Sequence, residues 1–96
     1  MEDTLGLLEE AVQLAREAGY RVREEPLGDL PGGACVIGGK RSILVNLQSA
    51  AAERLALLVG VLAADADVTS LPMSRLLAGR LRAAGAAARE SDRDPA

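Results

Sequence analysis

The stretch ERLALLVGVLAAD, Glu53 to Asp65, decides the fold of this chain. From Leu55 to Ala64 it holds only apolar side chains and one glycine, Gly60. A bilayer span takes about 18 or more such residues, so this run is too short to cross a membrane. It reads as a helix from about Ala50 to Ala64, with Ser49 as the expected N-cap. Only its first turn is charged, by Glu53 and Arg54. A helix apolar on every side is buried on every side, so something must cover it all round.

Working back along the chain, Lys40 to Leu47 alternates as a strand, with Ile43, Val45 and Leu47 on one face and Ser42, Leu44 and Asn46 on the other. Gly38-Gly39 before it suits a two-residue hairpin turn, because both central residues need positive φ. Ala34–Ile37 is then the partner strand. Tyr20 to Glu25 alternates as a charged strand suited to a sheet edge. Pro26 ends it, and PLGDLPGG is a loop. Residues 4–18 form an amphipathic helix with Leu5, Leu8, Ala11, Val12, Ala15 and Ala18 at helical spacing. Glu2 and Asp3 suit its positive end, and Gly19 suits its stop.

Working forward, Asp65-Ala-Asp67 is a polar exit from the central helix, and Pro72 suits the first turn of a last helix. Met73, Leu76, Leu77, Leu81 and Ala84 share a face of that helix. From residue 87 the apolar pattern stops, so residues 1–86 form one domain and 87–96 a frayed tail. The order α-β-β-β-α-α makes a single small α+β domain with a mainly antiparallel sheet packed on helices.

Composition narrows the function classes. The chain has 96 residues, 49% of them hydrophobic, yet Tyr20 is its one aromatic residue. Its core is therefore built of Leu, Val, Ile and Ala, and oligomerisation is one usual remedy for a thin core. A net charge of −3 and the lack of stacking aromatics argue against nucleic acid or an anionic membrane as partner. A single cysteine, Cys35, leaves no internal disulfide and favours a reducing compartment. The N-terminus lacks a basic and apolar leader pattern, so a cytoplasmic location is expected. The abundance of Ala, Arg and Gly suggests a GC-rich bacterial genome.

Residues from about Ala15 to Ala64 resemble the front half of the ImmA/IrrE zinc metallopeptidase family. The matching pieces are AREAGYRVREEPL, then GGKRSILVNL, then SAAAERLALLVGVLAA. In the family pattern a helix ends in glycine, and a strand leads to Pro-Leu. A hairpin then ends in an "IxVN" strand, and an arginine precedes the helix that bears HExxH. The resemblance implies that the motif falls on Val59 to Ala63, with its two histidines at Val59 and Ala63 and its glutamate at Gly60. None of these side chains can bind zinc or activate water. The chain has no histidine at all, so no shifted register restores the site. The resemblance thus implies a scaffold without its catalytic equipment. The sequence is also similar to short bacterial proteins of the same length.

Other candidate sites are weaker. Cys35 has no histidine to form its thiolate and reads as a small buried strand residue. Asp65 and Asp67 are too few oxygens for a metal, since calcium takes six to eight. Gly38-Gly39-Lys40-Arg41 joins two strands, where a phosphate-binding loop joins a strand to a helix. Glu24 and Glu25 point to opposite faces of a strand.

Two readings from different classes remain. The first is a non-catalytic protein acting through protein–protein contact as a homodimer, with no metal or cofactor. Its surface would combine Leu57 and Val61 of the central helix with Met73, Leu77, Arg75, Arg80 and Arg82 of the last. The second is a small enzyme or ligand-binding protein working through Cys35 or the acidic residues.

Overall fold

The structure, a computed structural model, describes residues 3–93. The elements are α1 (Thr4–Glu17), β1 (Arg21–Glu25), β2 (Gly33–Ile37), β3 (Lys40–Asn46), α2 (Ala51–Ala63), a 3-10 helix η1 (Ala66–Ser70) and α3 (Arg75–Arg93). This is the expected α+β order.

The ends of α1 follow its sequence. Asp3 accepts a hydrogen bond from the Gly6 N–H at 3.0 Å and so caps the first turn. At the other end Gly19 takes φ 98°, its N–H reaches the Arg16 carbonyl, and the Tyr20 N–H reaches the Ala15 carbonyl. This pair of bonds is a Schellman stop, which needs the left-handed conformation that glycine adopts without strain. The buried face is Leu7, Leu8, Ala11, Val12, Leu14 and Ala15. It is rotated from the expected face, because Leu5 points into solvent while Leu7 and Leu14 turn inward.

The strand order is β1-β3-β2. β2 and β3 pair antiparallel through the Gly38-Gly39 turn, whose φ values are 57° and 79°. β1 lies on the far edge of β3 and runs parallel to it. The sheet is therefore mixed, with one parallel and one antiparallel pairing. The physical cause is the loop from residue 26 to 32, which is long enough to step over the end of β3 across two strand spacings of about 4.8 Å each. Asn46 at the end of β3 holds that loop. Its Oδ1 accepts from the Leu27 N–H and the Gln48 N–H at 3.0 Å each, and its Nδ2 donates to the Gly28 carbonyl at 3.0 Å. The loop then passes so close to β3 and α2 that only glycine fits at position 32. A Cβ there would meet the Leu44 carbonyl oxygen and lie 2.8 Å from Leu57 Cδ2.

Register places Val22, Ile43, Val45 and Ala34 on one sheet face, and α1 and α2 pack there. Ile43, Val45, Leu55, Leu58, Leu62, Val68 and Leu77 are fully buried. Each contributes about 1.5–3 kcal/mol by leaving water. Leu58→Ala alone would cost about 2–5 kcal/mol.

Three details of the second half differ from expectation. Ser49 does not cap α2; the cap position is Ala50, without a side-chain bond, and the Ser49 carbonyl accepts from Arg54 Nε. Pro72 lies ahead of α3 rather than in its first turn, because Ala66–Ser70 already forms η1 and a short extended link follows. Ser74 starts α3 instead, its Oγ accepting from the Leu77 N–H at 3.2 Å. Glu10 of α1 clamps this start by accepting from both the Ser74 N–H and its hydroxyl at 2.7 Å. Finally, α3 continues through the expected tail to Arg93. Alanine and arginine, strong helix formers, carry the helix without an apolar face. The remainder of that tail, residues 94–96, lies outside the described residues, as does Glu2.

Candidate functional site

A connected polar cluster lies where α1 ends, β3 begins and α2 ends. Tyr20, the one aromatic residue, donates its hydroxyl hydrogen to Asp65 Oδ2 at 2.8 Å. Arg41 Nη1 reaches the same oxygen at 3.1 Å, its Nη2 donates to the Ala18 carbonyl at 2.9 Å, and its Cζ sits 4.3 Å from the Tyr20 ring centroid. The other carboxylate oxygen of Asp65 accepts from the Asp67 N–H at 3.0 Å and so opens η1. The hydrogen bond from Tyr20 is the main cause that lowers the Asp65 pKa, helped by the Asp67 N–H and by Arg41. Burial raises the Tyr20 pKa, as do its bond to Asp65 and that residue's charge.

Both shifts favour the neutral phenol and the ionised carboxylate. A phenol made harder to ionise is no nucleophile near neutral pH, and a carboxylate made harder to protonate is a poor base. Each group's main partner is inside the cluster. The three side chains hold three segments of the chain together. The sequence marks Asp65 as a polar exit and a weak metal candidate and does not single out Arg41 as its partner, since 24 residues separate them.

The residues that chemistry would need elsewhere are scattered. Among the described residues there is no group of three or more His, Cys, Asp or Glu side chains able to hold a metal ion. Asp67 is exposed, and its backbone rather than its carboxylate joins the cluster. Cys35 is half-exposed on the sheet face opposite the helices, not buried as expected, with Ser42 as its cross-strand neighbour. The helices that contact the sheet, α1 and α2, pack on its other face, and β2 is an edge strand, so Cys35 stays partly in water. Of the positions where the metallopeptidase motif would fall, Val59 is buried, Gly60 faces solvent and Ala63 sits half-buried at the edge of α2.

The expected interaction residues divide into separate places. Leu77 is wholly buried and belongs to the core, a correction that follows from its inward position on α3 against α2 and α1. Leu76, expected on the same face, points to solvent instead. Met73 and Arg82 line a shallow groove of about 540 Å³ with Ala63, Leu81 and Gly85. Arg75 is exposed, whereas Arg80 is partly covered and has a partner. Leu57 and Val61 are half-buried on the other side of α2, toward β2. There Leu57 lies over Gly32, and Val61 shares a hollow with Ala34, Ala64 and Tyr20.

The surface around β2 leaves apolar side chains exposed. Val36 is 69% exposed, and no charged residue occurs from Gly32 to Gly39. Alongside it, Ala56, Gly60 and Ala64 form the solvent-facing strip of α2. Apart from the neighbouring backbone of α2 itself, no atom lies within 4 Å of where a Cβ on Gly60 would be.

No family model, curated protein or solved structure matches this chain. Among the described residues, no helix is long and apolar enough to cross a membrane.

Proposed function

We propose that this protein is a non-catalytic interaction module that works by protein–protein contact and associates with itself. The observation that carries the reading is the uncharged edge strand with Val36 in water, beside a face of α2 that its own chain leaves uncovered. Exposed apolar surface beside an open strand edge is what proteins normally guard with charge or cover with another chain. The self-contained Tyr20–Arg41–Asp65 cluster supports the non-catalytic half of the reading. The likeness to the metallopeptidase pattern fits it too, as a scaffold with Val59 and Ala63 where the metal-binding histidines would stand and Gly60 where the catalytic glutamate would.

The contact surface in this reading is β2 with the Leu57–Val61 side of α2. The last helix, with Leu77 in the core, is secondary. Sedimentation equilibrium at micromolar concentration tests the reading and should return the mass of two chains. Elemental analysis should find no stoichiometric zinc. A monomer at that concentration, or one zinc per chain after dialysis, would overturn it.

A further inference from the structure

The two edges of the sheet are treated differently by the sequence. β1 carries Arg21, Arg23, Glu24 and Glu25, side chains that discourage another strand from pairing. β2 reads Gly-Ala-Cys-Val-Ile, flanked by Gly32 and by Gly38-Gly39, with neither charge nor proline to guard it.

The hairpin sets which backbone groups of that edge are open. A two-residue turn makes its flanking pair, Ile37 and Lys40, a hydrogen-bonded pair, and antiparallel pairs alternate from there. Cys35 with Ser42 and Gly33 with Leu44 are then hydrogen-bonded pairs as well. The N–H and C=O of Ala34 and Val36 point the other way, out of the sheet.

From this we infer that β2 pairs antiparallel with β2 of a second copy, centred on Cys35, to make a six-stranded sheet about a twofold axis. The inference rests on the self-association proposed above and names its register. With that centre, Ala34 and Val36 of one chain meet Val36 and Ala34 of the other and exchange their open hydrogen bonds. Side-chain sizes alternate correctly, because Ala34 lies opposite Val36, Gly33 opposite Ile37 and Gly32 opposite Gly38. A large side chain never meets another large one. This self-complementarity is what points to a second copy as the occupant.

The strip on α2 completes the contact. A stable interface takes about 800 Å² per partner, roughly an eighth of the 6222 Å² surface of this chain. A five-residue strand falls short of that alone. Ala64 and Val61 share a hollow with Ala34, so the pairing brings α2 of each copy toward the other. Ala56, Gly60 and Ala64 are small enough for two helices to approach closely.

The test exploits the register. Ala34→Lys and Val36→Glu each put a charge opposite an apolar residue of the partner, and each should raise the dimer dissociation constant by about tenfold or more. Both sites are exposed and have an opposite charge at hand, Asp65 for the lysine and Arg41 for the glutamate, so the monomers should stay folded by circular dichroism. Mixed in equal amounts, the two variants place the introduced lysine of one chain opposite the introduced glutamate of the other, and they should dimerise again. Diamide, which is reduced to the hydrazine as two thiols become a disulfide, should cross-link Cys35 to Cys35 in the wild type and in the mixture. It should not do so in either variant alone. The expected Cα separation of that pair, about 4.5 Å, lies within disulfide range. A wild-type monomer overturns both this inference and the proposed function. A wild-type dimer that survives both substitutions, or one that the mixture fails to restore, or one that diamide fails to cross-link, overturns the register and leaves self-association standing.

Discussion

Tyr20 and Asp65 are 45 residues apart in the chain, and 2.8 Å separates the phenol oxygen from the carboxylate. That bond, reinforced by Arg41, pins the exit of α2 to the junction of α1 and β1. Its pH dependence follows from the two shifts. The Asp65 pKa is lowered in the folded chain, so its contribution is full above the unfolded value near 4 and fades as pH falls through the folded one. The Tyr20 pKa is raised, so its contribution is full below about 10 and fades as pH rises through the folded value. Tyr20→Phe should cost about 1 kcal/mol at pH 7. Urea titrations at pH 3, 7 and 11 should show the difference between wild type and variant largest at pH 7.

Asn46 supports the loop that lets β1 cross to its parallel position. Asn46→Ala would leave the Leu27 and Gln48 N–H groups and the Gly28 carbonyl without their partner. A loss of about 2–3 kcal/mol is expected, as for unsatisfied buried groups. Hydrogen exchange at the Leu27 amide should accelerate well beyond the global change. Asn46→Asp keeps the acceptor and loses only the donor, so it should lie between the two.

Two glycines should respond in opposite directions to the same substitution. Gly32→Ala drives a Cβ into the Leu44 carbonyl and against Leu57, and should destabilise by at least about 2 kcal/mol. Gly60→Ala meets nothing in its own chain and should stabilise the monomer by about 0.5–1 kcal/mol through helix propensity. Thermal melts at concentrations low enough to keep the chains apart will show both. At high concentration the Gly60 variant should instead dimerise more weakly than wild type.

Glu10 links the first helix to the last through Ser74. Glu10→Ala should cost about 1–2 kcal/mol and loosen the first turn of α3. Amide exchange at Ser74 and Leu77 should rise while exchange in β3 stays protected. Unchanged exchange at Ser74 and Leu77 would mean that α3 does not depend on this clamp.

Local patterns in the sequence determined most of the elements. Gly19 and Gly38-Gly39 marked turns that only positive φ can make, alternation marked Val22, Ile43 and Val45, and the apolar run marked α2. These signals act over a few residues, so they survive without knowledge of neighbours. Tertiary structure alone decided the rest. The parallel place of β1 depends on how a loop crosses β3, and on an Asn46 side chain whose partners lie up to 19 residues away. The sides of α1 and α3 that turn inward were settled by packing, which buried Leu7, Leu14 and Leu77 and left Leu5 and Leu76 in water. Tyr20, Arg41 and Asp65 carry no common motif, because their meeting is a property of the fold and not of any spacing. The same holds for the open side of α2: its apolar run predicts a helix buried on every side, but the arrangement of sheet and helices leaves Ala56, Gly60 and Ala64 in water.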